Sequence, residues 1–405
     1  MKIAGLFSGI GGLELPFQKR GLEASLLCEY WEPAQAVLRD RFPGIEVHGD
    51  ITTLDELPIG TELVTAGFPC TDLSQAGRTA GIAGRESGLV AKVFELLSKS
   101  SVECLVLENV RNMLVLDSGQ AMTYLTSSLE GLGYRWAYRL VNSQFTGVPQ
   151  RRHRVILVAC REGDPRRVLF ADQSKAPDLT GRRYRDDAFG FYWTEGLSGL
   201  GWAQDAVPPL KGGSGLGIPS PPAVWIPGNP VGEQIVTPSI VAAERMQGFP
   251  MNWTRAAETM GKRTARWKLV GNAVSTGVGE WVGGRLLEPG DVHEDIVSER
   301  MLSVTRWPDA AYGEAGAIYR FDANQWPVLA RRNTHLKDVL DKHGSSVLSE
   351  RAVNGFLERA GRSKLRFPAG FLDALRNHSE AMAPPTVAPD PGMRRSPKRQ
   401  AVAEV

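Results

Sequence analysis

The N-terminal sequence KIAGLFSGIGGLELPFQKR, Lys2–Arg20, joins a short apolar run to a glycine-rich turn and a stretch of helical periodicity. The run Lys2–Phe7 predicts a buried strand, and Gly11–Arg20 predicts the helix that follows it. Glycines let the backbone of such a turn pass close to a ligand, and a helix N-terminus attracts an anionic group. The spacing differs from the G-x-G-x-x-G of nicotinamide enzymes, because Glu14 stands where the third glycine belongs. The turn therefore indicates a ligand site, although a plain tight turn has the same composition.

Strand-like and helical runs alternate over the first 160 residues. The predicted strands are Ala24–Cys28, Leu63–Ala66, Cys104–Leu107 and Val155–Ala159, and the predicted helices are Pro33–Arg41, Val90–Leu97 and Met122–Leu129. This alternation predicts an α/β fold with a doubly wound, mostly parallel sheet that helices cover on both faces.

The composition changes after Cys160. Residues 161–237 are rich in Gly, Pro, Arg and aromatic side chains, which predicts a small loop-rich module that contacts a ligand surface. Residues 291–382 are expected to form a largely helical C-terminal extension, either an accessory DNA-binding or dimerisation domain or a packing appendage. Residues 383–405 are rich in Pro, Arg and Ala and predict a disordered tail.

The overall composition is that of a globular enzyme. The 405 residues suffice for two or three domains, and a net charge of +2 neither demands nor excludes a nucleic-acid partner. No apolar run approaches the ~20 residues of a membrane span, and the N-terminus does not resemble a signal peptide. The four cysteines lack metal-ligand spacing, so we expect no metal site and a reducing, cytoplasmic compartment.

A cysteine follows a proline in the stretch GFPCTDLSQAG, Gly67–Gly77. Cys70 lies in a loop after an apolar strand, at the end of the sheet where open α/β folds bind their ligands. Buried structural cysteines usually lie inside strands, as Cys104 is predicted to do. A helix N-terminus or a nearby cation can give such a loop cysteine thiolate character, so Cys70 is a candidate nucleophile.

Polar residues follow the other predicted strands. Glu29 can accept hydrogen bonds from the hydroxyl groups of a ribose. Tyr30 or Trp31, which follow it, can stack an aromatic ring on a purine. Asp50 can bind an exocyclic amine, and Glu108 in the triplet ENV can donate a proton. Each of these residues can also be an ordinary solvated loop residue.

Closely spaced arginines occur in GVPQRRHRV, Gly147–Val155. They can bind phosphate or a base carbonyl, or form a solvated basic turn before a strand. Between Arg151 and Asp187 there are ten Lys and Arg residues against six Asp and Glu, and this local excess of four positive charges suits contact with a nucleic-acid backbone.

Six motifs occur together in this chain: FSGIGG, GFPC, ENV, QRRHR, ERMQGFP (Glu244–Pro250) and VGNAV (Val270–Val274). In order and approximate spacing they resemble the C5-cytosine-specific DNA methyltransferases, over residues 1 to about 288 and weakly between 161 and 237. The resemblance implies a Rossmann-like methyltransferase fold, S-adenosyl-L-methionine as cofactor and double-stranded DNA as partner. It also implies a catalytic domain of residues 1–160 completed by 269–288, and a target-recognition domain of residues 161–268.

The resemblance assigns roles to individual residues. Cofactor contacts are implied for Phe7, Gly9, Gly11, Gly12, Glu29, Tyr30, Trp31, Asp50, Ile51, Pro69 and Asn272. Catalytic roles are implied for Cys70, Glu108, Arg152 and Arg154. DNA contacts are expected for Thr71, Ser74, Gln150, Arg151, Arg182, Arg183 and Arg245.

The chemistry of cytosine explains the catalytic roles. C5 is too poor a nucleophile to attack a methyl sulfonium, but addition of a thiolate at C6 makes C5 nucleophilic. In this scheme Cys70 attacks C6, Glu108 protonates N3 and Arg154 polarises the O2 carbonyl. None of this can occur inside a duplex, so the target cytosine must be flipped out.

Two positions depart from the family pattern. Thr71 stands where glutamine is common, and Glu86 stands where arginine is common. Both flank the loop Thr71–Glu86, which is expected to close over the flipped base, so they put its contacts with DNA in doubt. The sequence indicates neither the target site nor an oligomeric state. It also leaves open whether a cognate restriction endonuclease acts separately or the enzyme is a lone or viral methyltransferase.

Three other functions compete with this one. One branch of the family methylates tRNA, but its Cys-Phe-Thr element is missing from this sequence. A catalytically silent DNA-binding member is expected to lack Cys70 or Glu108, and both are present. A nicotinamide-dependent oxidoreductase is disfavoured by the missing third glycine and by the loop Gly67–Gly77, which carries Pro69 and Cys70 (the Pro-Cys loop).

Overall fold

A ten-stranded sheet and a five-stranded sheet organise the chain. The structure, a computed structural model, describes residues 1–68, 87–176, 187–197, 199–211, 221–261, 264–292, 298–301, 306–314, 316–330 and 333–382. The predicted tail, residues 383–405, lies outside these ranges.

The strands, numbered in chain order, span the following residues. They are β1 Lys2–Leu6, β2 Glu23–Cys28, β3 Glu46–His48, β4 Thr61–Ala66, β5 Cys104–Val110, β6 Arg135–Asn142, β7 His153–Cys160, β8 Phe189–Phe191, β9 Ala203–Gln204, β10 Ala223–Trp225, β11 Ile235–Pro238, β12 Ser298–Met301, β13 Ala310–Glu314, β14 Ala317–Phe321 and β15 Ser345–Val347.

The α-helices are numbered in the same way. They are α1 Glu14–Lys19, α2 Glu32–Arg41, α3 Ser87–Ser98, α4 Gln120–Gly131, α5 Arg166–Leu169, α6 Ile240–Met246, α7 Thr264–Asn272, α8 Thr276–Leu287, α9 Leu336–His343, α10 Glu350–Gly361 and α11 Phe371–Met382. Short 3-10 turns occur at Ile51–Thr53, Arg111–Leu114, Leu116–Gly119, Ser143–Thr146 and Arg255–Met260.

The central sheet has the order β12-β14-β13-β6-β7-β5-β4-β1-β2-β3. The five strands from β3 to β5 are parallel, whereas β7 runs antiparallel to both β5 and β6. The predicted α/β class and mostly parallel sheet are therefore confirmed. The chain order reverses between β1 and β4, and such a switch point opens a crevice at the carboxyl ends of the strands.

Apolar side chains cover both faces of this sheet. On one face, α3 and α4 pack on it through residues such as Leu96 and Leu125. On the other face, α1 and α8 pack through residues such as Phe17 and Val282. Two covered faces explain why the central strands are apolar throughout instead of alternating.

The segment 291–382 differs from its expected, largely helical form. Three of its strands, β12 to β14, extend the central sheet through the antiparallel pairing of β13 with β6, and β15 pairs with β11 of the small sheet. Its last two helices pack on the small sheet, where Phe356 and Phe371 contact Phe191. The segment is therefore part of both sheets: β13 covers the edge of β6, and the last two helices cover an apolar face of the small sheet.

Cys104 and Cys160 lie opposite each other on β5 and β7 and are joined by a disulfide. Reduced cysteines were expected from the sequence, and the disulfide corrects that expectation for Cys104 and Cys160. Among the described residues, the remaining cysteine is Cys28, which is buried and free.

A buried ion pair holds α6 against α7. Arg266 Nη2 lies 2.9 Å from Glu244 Oε1, and both side chains are shielded from solvent. Glu244 also accepts hydrogen bonds from the amide and hydroxyl of Thr254. A buried charge is tolerated only when it is paired and hydrogen-bonded in this way.

Loss of this pair is expected to destabilise the fold. Arg266→Met leaves the Glu244 charge buried without a cation, which costs about 3–5 kcal/mol. The measurement is the free energy of unfolding in urea. Arg376→Met is the matched control, because Arg376 forms an exposed pair with Asp373. The control is expected to change stability by less than about 1 kcal/mol, and equal losses in both variants contradict the prediction.

Candidate active site

A cavity of about 640 Å³ opens at the carboxyl ends of β1, β2 and β3. A volume of this size is typical of a site that encloses a small molecule. Its walls are Phe7, Gly9, Cys28, Glu29, Tyr30, Trp31, Ala34, Asp50, Ile51, Thr52, Gly67, Leu89, Leu269, Asn272 and Ala273. Residues predicted from four separate motifs thus line one cavity.

Glu29 is held rigidly at the end of β2. Its Oε2 accepts the amide of Gly9 at 2.9 Å, and its Oε1 accepts the amide of Trp31 at 2.8 Å. Burial raises the pKa of Glu29, and the two amide hydrogen bonds oppose that shift. Each carboxylate oxygen keeps a further lone pair, so the group can accept hydrogen bonds from the hydroxyl groups of a ligand in the cavity.

Asp50 begins the 3-10 turn Ile51–Thr53. Its Oδ1 accepts both the amide and the hydroxyl of Thr52, and these hydrogen bonds lower the pKa of Asp50. Asp50 is therefore a carboxylate at neutral pH. The next residue, Ile51, is buried and adds an apolar wall to the cavity.

The two aromatic residues after Glu29 are placed differently. The Tyr30 side chain is 79% exposed, so its ring is free to cover a ligand. Trp31 packs against the core beside α2, and the ammonium group of Lys268 lies 4.7 Å from its ring centroid. Both residues line the cavity.

The glycines of the FSGIGG turn have separate functions. Gly9 has φ +56° and lines the large cavity. Gly11 does not line it, contrary to the expectation: a Cβ on Gly11 would lie 2.5 Å from the Phe42 ring, so this glycine permits close packing. Gly12 contacts the backbone of Val274, where a Cβ would lie 2.5 Å from the carbonyl oxygen. The turn is thus packed directly on the VGNAV motif.

Glu108 and Arg154 form an ion pair beside the cavity, with 2.7 Å between Arg154 Nε and Glu108 Oε1. The two residues are diagonal neighbours, because Glu108 is paired with Ile156 in the β5–β7 register. Burial lowers the pKa of Arg154, and the Glu108 charge opposes that shift. Glu108 also lies close to Gly67, since a Cβ on Gly67 would be 3.9 Å from Glu108 Oε2.

Arg152 is not at the reaction centre, and its predicted catalytic role is revised. It is 1% exposed, and its guanidinium donates to the carbonyl oxygens of Gly271 at 3.1 Å and Ala273 at 2.9 Å. Burial lowers the pKa of Arg152 to about 9. Arg152 therefore positions the backbone on both sides of Asn272, a residue that lines the cavity.

Gln150 is also revised, because it is fully buried and bonded to the protein. Its Nε2 donates to Met246 O and its Oε1 accepts Leu210 N, so it cannot contact DNA. Arg151 and Arg245 reach the surface and keep their predicted role as proposals. The predicted residues outside the described ranges are Pro69, Cys70, Thr71, Ser74, Arg182 and Arg183, as is the loop between Thr71 and Glu86.

Two residues that the sequence analysis missed support the site. Asn109, which follows Glu108, is buried and donates from Nδ2 to Phe68 O at 3.1 Å, two residues before Cys70. Gln247 donates to Val270 O at 2.9 Å. Their positions in ENV and ERMQGFP were the available signal, but neither motif identifies a backbone partner so distant in sequence.

The side chains of the described residues contain no group of three or more His, Cys, Asp or Glu residues arranged for a metal ion. Within the same ranges, no helix has the length and apolar character needed to cross a membrane.

Comparisons with known proteins agree with this geometry. The C-5 cytosine-specific DNA methylase family matches residues 1–185. The chain is 45% identical to the type II methyltransferase M2.BsuMI of Bacillus subtilis over 93% of this chain and 97% of that protein. It is 33% identical to M.BsuFI of the same species, over 38% of this chain and 37% of that protein.

Solved structures show the same fold. The Dnmt2 methyltransferase of S. pombe matches 71% of this chain and 98% of its own, with a TM-score of 0.53 and 15% identity. EhMeth of Entamoeba histolytica matches with a TM-score of 0.52 and 14% identity over the same shares. At these identities the likeness concerns the fold alone. The sequence relatives, however, establish that this chain belongs to the C-5 cytosine-specific DNA methylases and is a DNA (cytosine-5-)-methyltransferase that uses S-adenosyl-L-methionine.

Proposed function

We propose that this enzyme methylates C5 of a flipped-out cytosine within a short DNA sequence, through a covalent bond between Cys70 and C6. We further propose that it is the modification enzyme of a type II restriction-modification system, since the relative at 45% identity is named a type II methyltransferase. The observation that carries the catalytic part is the Glu108–Arg154 pair, which lies beside Gly67 at the start of the Pro-Cys loop.

The residues of the large cavity fit S-adenosyl-L-methionine. Glu29 can accept hydrogen bonds from the ribose hydroxyl groups. The exposed ring of Tyr30 can cover the adenine, and the Asp50 carboxylate can accept a hydrogen bond from the exocyclic amine of the adenine. Asn272, which belongs to the VGNAV motif, lines the same cavity. When bound, the cofactor supplies an electrophilic methyl group.

The other cysteines support Cys70 as the nucleophile. Cys28 lines the cavity, but burial raises its pKa to about 12, so it remains a thiol at neutral pH. Cys104 and Cys160 are joined to each other at the far end of β5 and β7 from Glu108 and Arg154. Cys70 lies outside the described residues, and its role rests on the GFPC motif.

Glu108 and Arg154 can handle the charge that develops on the ring. Thiolate addition to C6 places electron density on N3 and O2, so a proton on N3 and a cation at O2 both lower the barrier. We assign the N3 proton to Glu108 and the O2 contact to Arg154. Loss of the C5 proton and release of the thiolate then restore the aromatic ring.

Target recognition is assigned to residues 161–268, which contain β8 to β11 of the small sheet. The stretch of sequence from Arg151 to Asp187 is rich in Lys and Arg. It begins next to Gln150, which pairs with Val207 close to that sheet. Arg151 and Arg245 reach the surface, and we assign to them contacts with DNA phosphates or guanine edges.

Covalent catalysis is testable with DNA in which 5-fluorocytosine replaces the target cytosine. Fluorine at C5 cannot leave as a proton does, so the Cys70–C6 bond should persist after methyl transfer. We expect a covalent protein–DNA adduct that survives denaturing electrophoresis. Cys70→Ala should form none and should lose methyl transfer while still binding DNA.

The matched control for the trap is Cys104→Ser. Cys104 lies at the opposite end of β5 from Glu108, so this variant should form the adduct as the unchanged protein does. An adduct with Cys70→Ala, or residual turnover in that variant, contradicts the covalent mechanism.

Asn109 provides a second test, because its side chain holds Phe68 beside the Pro-Cys loop. Asn109→Ala removes this hydrogen bond, and displacement of the loop by about 1 Å can slow a reaction by about 100-fold. We expect the single-turnover methylation rate to fall at least about tenfold, with cofactor affinity within about twofold. An unchanged rate, or an equal loss of cofactor affinity, would contradict this positioning role.

A further inference from the structure

Helices cover both faces of the small sheet. On one face its strands share an apolar cluster with α9, in which Val224 and Val236 lie with Val339. On the other face they share a cluster with α10 and α11, in which Trp225 lies with Phe371. Val224 and its neighbour Trp225 point into different clusters, so β10 is buried on both of its sides.

All three covering helices belong to the segment 333–382. The strands of the small sheet are only two to four residues long. Strands this short bury too little apolar surface to persist without a covering layer. Residues 161–268, to which target recognition is assigned, therefore do not hold a complete core by themselves.

Asp205, directly after β9, docks this segment on the sheet. Its Oδ1 accepts the amide of Leu336, the first residue of α9, at 2.9 Å. Its Oδ2 lies 2.7 Å from His335 Nδ1, and the Asp205 side chain is 11% exposed. A side-chain oxygen that accepts a first-turn amide caps the helix, and here a distant part of the chain supplies that cap.

The backbone of Asp205 is fixed as firmly as its side chain. Its φ is +47°, in the left-handed region that favours glycine and asparagine. Its amide donates to Ala188 O, just before β8, at 2.8 Å. The turn at Asp205 is thus anchored to the small sheet through its backbone and to α9 through its side chain.

The same turn is joined to the chain that leads into β7. Two residues after Asp205, Val207 donates to Pro149 O and accepts from the amide of Arg151, both at 2.9 Å. Arg151 lies three residues before Arg154 in the sequence. The position of this turn therefore bears directly on the strand that carries the Arg154 side chain.

The segment 333–382 also contacts the chain before β7 directly. The amide of Thr334 donates to Gly147 O at 2.9 Å. The small sheet, the C-terminal segment and the QRRHR motif therefore meet at one junction. No described residue of the small sheet or of segment 333–382 lines the large cavity.

We propose that segment 333–382 is part of the target-recognition module, and that Asp205 is the residue that positions it. This inference rests on the proposed role of the small sheet in target recognition. Asp205 is a positioning residue, because it acts through α9. Docking of α9 sets where the small sheet lies relative to Arg154, so an error in docking lowers discrimination between DNA sequences and leaves cofactor binding intact.

Asp205→Gly and Asp205→Asn, made in the full-length enzyme, separate the side-chain contact from the backbone conformation. Glycine and asparagine both accept a positive φ, but only asparagine keeps an oxygen acceptor for the Leu336 amide. The substrate is genomic DNA from a methylation-deficient bacterium, sequenced for 5-methylcytosine during the reaction. One reaction then gives the methylation rate at the target motif and the rate at sites that differ from it by one base pair.

For Asp205→Gly we expect the ratio of these two rates to fall about tenfold, which is the scale of discrimination against one mismatched base pair. Asparagine caps helices about as well as aspartate, so Asp205→Asn should keep the ratio within about twofold. Both variants should keep the affinity for S-adenosyl-L-methionine. Tyr134→Phe is the stability control, because it removes a buried hydrogen bond to Val102 O ahead of β5 and β6. This control should leave the ratio unchanged.

The inference is overturned by an unchanged ratio in Asp205→Gly, by equal losses in the two Asp205 variants, or by an equal loss in Tyr134→Phe. A loss of cofactor affinity that matches the loss of discrimination overturns it as well. If the unchanged enzyme itself methylates no DNA, the proposed function fails instead, so the two failures are distinguishable.

Hydrogen exchange in the unchanged enzyme tests the same inference without a variant. A ligand protects the cooperative unit that it engages, so DNA with the target motif should slow amide exchange in α9 together with β10 and β11. DNA that lacks the motif should slow it less. Slower exchange in the small sheet with no change in α9 overturns the inference even if Asp205→Gly does not fold.

Discussion

The register between β5 and β7 is the constraint on which the active site depends. It sets Glu108 and Arg154 as diagonal neighbours on one face of the sheet, at the edge where the Pro-Cys loop begins. A slip of one residue would turn either side chain to the opposite face, and the ion pair would be lost. The same register sets Cys104 opposite Cys160 at the other end of the two strands. The Glu108–Arg154 pair is therefore fixed by backbone pairing along two long buried strands.

A second constraint joins the two ends of the catalytic fold. Arg152 and Gln247 donate to backbone carbonyls on both sides of Asn272, and Gly12 packs on Val274. These contacts hold the VGNAV motif against the first glycine-rich turn, so both can line one cavity. Because the groups are buried, each hydrogen bond carries the cost of leaving a polar atom unpaired if it is lost. A long insertion between the motifs is thus compatible with one site.

The sequence predicts most of the parallel sheet, because its strands are apolar runs between helical segments. It did not predict β6, where Arg139 interrupts the apolar pattern yet is fully buried among the carbonyl oxygens of Leu169, Asp172 and Asn324. It also missed β12 to β14, whose place depends on non-local pairing with β6. The different functions of Arg152 and Arg154 were likewise hidden, since only the fold shows which guanidinium meets a backbone carbonyl and which meets Glu108.

The most direct test of the central claim is a genome-wide map of 5-methylcytosine. The chain would be expressed in a methylation-deficient bacterial host, beside a Cys70→Ala version of the same chain. We predict methylation of one short sequence motif throughout the genome with the intact cysteine and none with the variant. A genome that stays unmethylated while the purified protein binds S-adenosyl-L-methionine would contradict sequence-specific DNA methylation by this enzyme.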